Sequence, residues 1–431
     1  MERENGRYYG YYSGPLYRTA ERRSMARRRR RRRRRIVPKI AGVFCVLLLM
    51  GVLAAAGGHL LLERMRTAET VSLTGEQQVE FPELTVTAEE VAGDFYYQQL
   101  SEAEQTVYRE ILQGVTGMEE TIRIHAGKQD DAGRIYEYLL YDRPELFWCD
   151  GTSRMTIYED YTEMSPGYTC TASEKDARQA QIDVAVQECM AGIGADASDY
   201  EKIRYVYEYI VNTVDYDENA PDNQNIYSAL VGKRSVCAGY SRAAQHLLEG
   251  MGIQCIYVIG NITGQGAHAW NIVQCGGKYY QMDTTFGDPV FLEEESGESI
   301  PGSSVNYDYL CCTDAEMMID HEQDDFVEYP ACGSDDLNYY KLNGMYYEVF
   351  DSAELLGKMN ESIYSGADTF VCKFADTGLY DAAQSVIINE LLPQAAQNLA
   401  AYYGLGSVRY TYAEDREHSK LTVFWNYEEN E

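Results

Sequence analysis

Three stretches decide how this chain is read: Ser235-Val236-Cys237-Ala238-Gly239-Tyr240-Ser241, then Ala267-His268-Ala269-Trp270-Asn271, then Gln281-Met282-Asp283-Thr284-Thr285-Phe286-Gly287-Asp288. Apolar periodicity predicts a helix over Val236–Met251 and short β runs at Cys255–Ile259, Ala269–Gln274 and Tyr279–Asp283. A cysteine, a histidine and an aspartate thus occur in that order, each at the edge of an element. The thiolate is the nucleophilic form of cysteine, and a free cysteine is mostly thiol at neutral pH. A place in the first turn of a helix favours ionisation, because the helix N-terminus carries partial positive charge and unpaired N–H groups. Those N–H groups can also meet an oxyanion formed beside the sulfur.

Gly276-Gly277 lies between two β runs and reads as a two-residue hairpin turn. Pairing across it sets His268 opposite Thr285, with Asp283 two residues further along the same strand. Strand side chains alternate, so His268 and Asp283 project from one face as diagonal neighbours. A carboxylate in that place orients an imidazole and stabilises its protonated form. A one-residue bulge would put the two on opposite faces. Taken singly, each residue has a plainer reading: an inert buried cysteine, a backbone-bonded histidine, a turn-forming aspartate. Histidine is scarce, however: His59, His125, His246, His268, His321 and His418 are all there are, which leaves few other candidates for a general base.

Together these residues resemble the transglutaminase-like superfamily. Its pattern is a Cys followed by a small residue, Gly and an aromatic, then His-Ala-Trp, then Asp followed by Thr and an aromatic. Cys237-Ala238-Gly239-Tyr240, His268-Ala269-Trp270-Asn271 and Asp283-Thr284-Thr285-Phe286 match all three in order. The helix expected over Ile203–Val214 and the segment Tyr227–Lys233 resemble the lead-in of bacterial members, so the likeness spans roughly residues 200–290. The resemblance implies an α+β, papain-like core. It also implies a triad in which Cys237 is the nucleophile, His268 the general base and acid, and Asp283 the orienting carboxylate. Such an enzyme acts on amide bonds of a protein or peptide, a cell-wall peptide among the candidates, through a thioester that an amine or water resolves. It needs no cofactor and no metal. Trp270 and Asn271 read as packing and strand-pairing residues. For the oxyanion-holding side chain, which the family places upstream of the Cys, Gln224 and Tyr227 are the candidates.

Outward from this core, Ser101-Glu102-Ala103-Glu104 is a capping box opening a helix with Val107, Ile111 and Leu112 on its stripe. A second helix runs from Ala132 through Leu140 and stops before Pro144, with strands expected at Phe147–Cys149 and Met155–Tyr158. Beyond Leu337, strands at Tyr346–Phe350 and Phe370–Phe374, helices near Ala353–Met359 and Ala382–Leu392, and a strand pair at Ser407–Tyr412 and Lys420–Trp425 suggest a small α/β unit without evident chemistry.

The net charge of −31 conceals a division. Residues 1–39 hold 15 of the 37 Lys/Arg and 3 of the 68 Asp/Glu; the remainder is net −43. So acidic a body excludes nucleic acid as its partner, since phosphate binding needs basic surface. Arg27–Arg35 is followed by Ile40–Leu62, 23 residues without Asp, Glu, Lys or Arg. About 20 apolar residues span a bilayer, and a basic flank marks the cytoplasmic side. The expected organisation is therefore a basic cytoplasmic tail (1–39), a transmembrane helix (40–62), a stalk (63–85), an N-terminal α+β domain (86–195), the transglutaminase-like core (199–335) and a C-terminal α/β domain (337–431), with the catalytic part extracellular. A cleaved signal peptide ending near Ala54–Gly57 is the alternative.

Eleven cysteines without a CxxC argue against zinc and thioredoxin-like chemistry. Gly239–Ala243 approaches a serine-nucleophile elbow but ends in Ala and opens a helix. Cys311-Cys312 reads as a local bridge or two unrelated thiols, and Asp314 with the acidic run Glu293–Glu298 as solvated loop, no calcium-loop spacing being present. The 38 tyrosines mostly fall at helix and strand spacing and supply apolar area with a polar tip. The competing view of the whole chain is a non-catalytic cell-surface binding or scaffold protein.

Overall fold

The computed structural model describes residues 80–264, 266–288 and 305–427, together with the backbone strands β1 (Glu2–Glu4) and β2 (Arg7–Ser13). The expected span Ile40–Leu62, the arginine run and the acidic run Glu293–Glu298 lie outside the described residues. Among the described residues, no helix is long and apolar enough to cross a membrane. The chain divides into two compact units, Gly51–Phe291 with Tyr309–Asp335, and Met1–Met50 with Leu292–Asp308 and Asp336–Glu431.

The first unit opens with α1 (Phe95–Gln98) and α2 (Glu102–Thr116), whose N-terminus carries the full Ser101–Glu104 capping box. β3 (Ile122–Ile124), α3 (Ala132–Asp142), β4 (Cys149–Ile157) and β5 (Thr162–Tyr168) follow, with sheet order β3-β5-β4. The two strands expected at Phe147–Cys149 and Met155–Tyr158 are one strand, β4. It shifts register between Cys149 and Ser153, where Gly151 takes a φ of 78° and lets the polar Asp150-Gly151-Thr152 stretch stay in the sheet. Helix α4 (Ala172–Ala191) has no strong sequence signal, because only Ile182, Ala185 and Cys189 of its residues are buried.

Helix α5 (Asp199–Thr213) buries Ile203, Val206, Tyr207, Ile210 and Val211, the stripe read from the sequence. Strand β6 (Asp215–Tyr216), helix α6 (Ile226–Leu230) and strand β7 (Arg234–Ser235) lead to α7 (Cys237–Gly250). β6 and β7 pair in parallel, Tyr216 against Ser235, and so fix the chain two residues before Cys237. Then come β8 (Cys255–Ile262), β9 (Gly266–Cys275), β10 (Lys278–Met282), β11 (Leu310–Cys312), α8 (Asp314–Met317) and β12 (His321–Gln323). These strands form one sheet in the order β11-β10-β9-β8-β12. Val258, Trp270 and Ile272 are fully buried in it. Burying apolar side chains of this size contributes about 1.5–3 kcal/mol each. The sequence reading found the three central strands and missed both edges, which are only three residues long.

The second unit runs through α9 (Tyr339–Leu342), β13 (Tyr346–Tyr347), α10 (Ser352–Tyr364), β14 (Thr369–Phe374), α11 (Thr377–Val386), α12 (Leu392–Tyr403), β15 (Ser407–Asp415) and β16 (Lys420–Asn426). Its sheet order is β1-β2-β15-β16-β14-β13. Leu355, Met359, Leu392, Leu399, Val408, Leu421 and Val423 belong to its core. The helix expected to end near Leu392 continues past Pro393 to Tyr403. A π turn at Ile387–Leu391 precedes the proline, where an α-helix has no room for the ring and lacks one N–H.

Candidate functional site

Cys237 is the first residue of α7 and is partly exposed. Val236, the residue before it, is extended and offers no side-chain cap to the first-turn N–H groups beside the sulfur. Gly239 is required here: a Cβ would lie 1.8 Å from Ser235 Oγ and 3.1 Å from the Asn223 carbonyl. The Tyr240 hydroxyl lies 2.5 Å from the Val214 carbonyl and 2.9 Å from Asp288 Oδ2, two acceptors that share its one proton and anchor the helix. Ser241 Oγ donates to the Ala269 carbonyl at 2.8 Å, and Asn271 Nδ2 donates to the Ser241 carbonyl at 3.1 Å. The residues that follow the cysteine and the histidine therefore fasten the helix to β9 immediately beyond His268.

Gly276 and Gly277 both take positive φ, 58° and 78°, as a primed hairpin turn demands. Cys275 pairs with Lys278 and Asn271 with Met282 without a bulge, which is the register expected from the turn. His268 Nε2 lies 2.7 Å from Asp283 Oδ2. Asp283 Oδ1 accepts the N–H groups of Thr285 at 2.7 Å and Phe286 at 3.3 Å. With Nε2 committed to the carboxylate, Nδ1 is the ring nitrogen left for Cys237, whose sulfur is near enough to act on the charge of this imidazole. The structure thus brings Cys237, His268 and Asp283 together.

Burial works against charge on His268, but the Asp283 carboxylate and the Cys237 sulfur outweigh it and push its pKa up to about 10. Burial works against charge on Asp283 as well, and is overcome by the imidazoles beside it, which hold the carboxyl below the usual range. An imidazole kept protonated is suited to stabilise a thiolate and later to protonate a departing amine.

His321 also reaches this site, and the sequence reading gave it no role. Its Nε2 lies 3.0 Å from Asp283 Oδ2 and its Nδ1 lies 2.5 Å from Asp320 Oδ1. The side chain is fully buried. It comes from the three-residue strand β12, too short to leave a periodic signal; the scarcity of histidine was the one available hint. Donor atoms of His268, Asp283 and His321 converge within 4.8 Å. Both imidazoles aim at the same oxygen at hydrogen-bond distance, which accounts for the cluster as a hydrogen-bonded network.

Other expectations fall out individually. Trp270 is buried and donates Nε1–H to Gln281 Oε1 at 2.8 Å. The Tyr227 hydroxyl is committed to Gln181 Oε1 at 2.8 Å and is not turned to the sulfur. Gln224 is exposed; its carbonyl accepts from Arg242 of α7 at 3.3 Å, and its amide lies against Asn223. Tyr257, with the Arg242 guanidinium 5.1 Å over its ring, is close enough to Cys237 to feel its charge. Cys311 and Cys312 are both buried. Asp314 is not part of a solvated loop: its carboxylate accepts from Gln281 Nε2 and the Cys332 N–H.

Residues 187–284 match the family model of the transglutaminase-like superfamily, so the first unit contains a transglutaminase-like core. A domain of this kind suggests a cysteine-type enzyme family. Kyphoscoliosis peptidase of Mus musculus is 24% identical over 131 residues, 26% of this chain and 20% of that protein; the chain therefore spans a fifth of that relative's length. A solved transglutaminase structure is similar at TM-score 0.24 and 15% identity, covering 31% of this chain and 44% of that one. Menin is similar at TM-score 0.24 and 12% identity, covering 70% of this chain and 66% of that one.

Proposed function

We propose that this protein is a cysteine enzyme that cleaves or transfers amide bonds of a protein or peptide through a thioester. The observation that carries the reading is the 2.7 Å contact of Asp283 with an imidazole whose positive charge is also favoured by the sulfur of Cys237 at the start of α7. The Cys237 thiolate adds to the amide carbonyl carbon, and the first-turn N–H groups of α7 receive the negative oxygen. As the C–N bond breaks, His268 gives its proton to the leaving amine. An incoming amine or water then attacks the thioester and passes a proton back to His268, while the sulfur leaves as thiolate. An amine yields a new amide; water yields a carboxylate. Asp283 stays ionised throughout and orients the ring.

The test compares wild type with Cys237→Ala for incorporation of a fluorescent primary amine into casein and for release of ammonia or peptide from the same protein. The reading expects at least a 1,000-fold loss of whichever activity wild type shows, on the order of losing a nucleophile. Equal activity in both proteins would remove Cys237 from the mechanism.

For location, we propose a single-pass anchor through Ile40–Leu62 with the enzyme outside the cell, supported by the arginine run before an uncharged span. A second reading has its own observation: β2 pairs with β15, Arg7 against Ala413 and Ser13 against Ser407. A bilayer crossed once between them would separate these strands. Protease added outside intact cells decides: digestion of the body with protection of the tail supports the anchor, and full protection of both supports the paired state.

A further inference from the structure

We propose that His321 is a positioning residue of this site: held as an imidazolium between Asp320 and Asp283, it locks the Asp283 carboxylate and shares its charge with His268. The inference rests on the catalytic reading above for its consequence, and on hydrogen-bond chemistry for the state of the ring.

Each nitrogen of His321 faces a carboxylate oxygen, Asp283 Oδ2 at 3.0 Å and Asp320 Oδ1 at 2.5 Å. A carboxylate has only lone pairs to offer, so each contact requires an N–H, and a ring with two N–H groups is a cation. Asp320 is an acceptor on its other oxygen as well, taking the Tyr309 hydroxyl on Oδ2. Burial opposes the charge on His321, but the two carboxylates hold the proton on the ring. The titratable groups facing His321 are Asp283 after β10, Asp320 on its own segment, His268 on β9 and Tyr309 before β11; Trp270 and Phe286 close the remaining sides with their rings.

Two consequences follow for Asp283. Its four acceptor positions are filled, by His268 and His321 on Oδ2 and by Thr285 and Phe286 N–H on Oδ1, so it neither rotates nor takes a proton. Its negative charge is also divided between two cations. The rings of His268 and His321 lie 5.3 Å apart, and like charge at that distance loosens the proton on His268. A histidine gripped by Asp283 alone would hold its proton too tightly to deliver it to a leaving amine. His321 therefore sets how readily His268 acts as an acid.

The experiment uses the full chain and needs no substrate. Nitrogen-15 NMR of the histidine side chains at neutral pH reports whether His321 carries two N–H protons. The pH dependence of Cys237 alkylation by iodoacetamide is then compared among wild type, His321→Gln and Asp320→Asn. The proposal expects a doubly protonated His321. It expects the alkaline break, where His268 loses its proton, to rise by about one pH unit in His321→Gln, a tenfold tighter proton. Asp320→Asn, changed at the partly exposed end of the network, moves it the same way by less and guards against misfolding of the first variant. A neutral His321, or an alkaline break that stays in place in both variants, overturns the proposal. If wild-type Cys237 is not alkylated in preference to other thiols, the catalytic reading fails, and the NMR result still decides the state of His321.

Discussion

Gly239 shows why the residues around the nucleophile are so constrained. Ser235 Oγ occupies the place a Cβ would take, and it donates to the Asn223 carbonyl at 2.7 Å while bonding Ser228 Oγ at 2.7 Å. Gly239→Ala should cost roughly 1–3 kcal/mol, as overpacking does, read as a lower midpoint in urea. The pH response of His268 is a second expectation. Its pKa is raised from 6.5 to about 10, so its stabilising contribution is complete below 6.5 and is lost as pH rises through about 10. Asp283, lowered from 3.8, contributes above 3.8 and loses that contribution as pH falls through its folded value. Melting curves should therefore show wild type losing more stability than His268→Gln between pH 6.5 and 10. At this scale Cys237, His268 and Asp283 were legible, because each stands in a short local pattern and the Gly-Gly turn sets their register. His321 was not, because its place depends on a strand pairing between Ile262 and His321 that nothing local announces.

Helix α7 and strand β9 act as one piece, held by Ser241 Oγ on the Ala269 carbonyl and Asn271 Nδ2 on the Ser241 carbonyl. Ser241→Ala removes the first bond, at about 1 kcal/mol of stability. Activity should fall further than that, since the bond sets the distance from Cys237 to His268; kinetics beside a denaturation curve separate the two effects. The helices with a clear apolar stripe, α2, α3 and α5, appear where periodicity placed them. Helix α4 escaped notice, since a helix burying three residues carries little pattern. The continuation of α12 beyond Pro393 also went unread, because the compensating π turn lies upstream of the proline and depends on tertiary packing.

At the scale of the whole molecule, the second unit centres on charge that no local pattern reveals. Asp308 is buried and pairs with Lys373 Nζ at 2.8 Å and with Lys420, three residues drawn from distant parts of the chain. Asp308→Asn removes the carboxylate shared by the buried Lys373 and by Lys420, which retains Asp415 at 4.0 Å, and should cost about 3–5 kcal/mol, measured as unfolding at lower denaturant. The first unit holds the proposed site, and the thiols of the chain allow a direct test. Of the ten described cysteines, seven are buried and only Cys170, Cys237 and Cys275 are partly exposed. Burial pushes the Cys149 and Cys372 thiols up to about 12 and Cys189 up to about 11, which leaves them inert at neutral pH. The decisive measurement is the site of modification when the native full chain meets substoichiometric iodoacetamide at pH 6, read by peptide mass spectrometry in wild type and His268→Gln. Preferential labelling of Cys237, lost when His268 is replaced, is the expected result. Label spread evenly over Cys170, Cys237 and Cys275, unchanged by the histidine substitution, would contradict it.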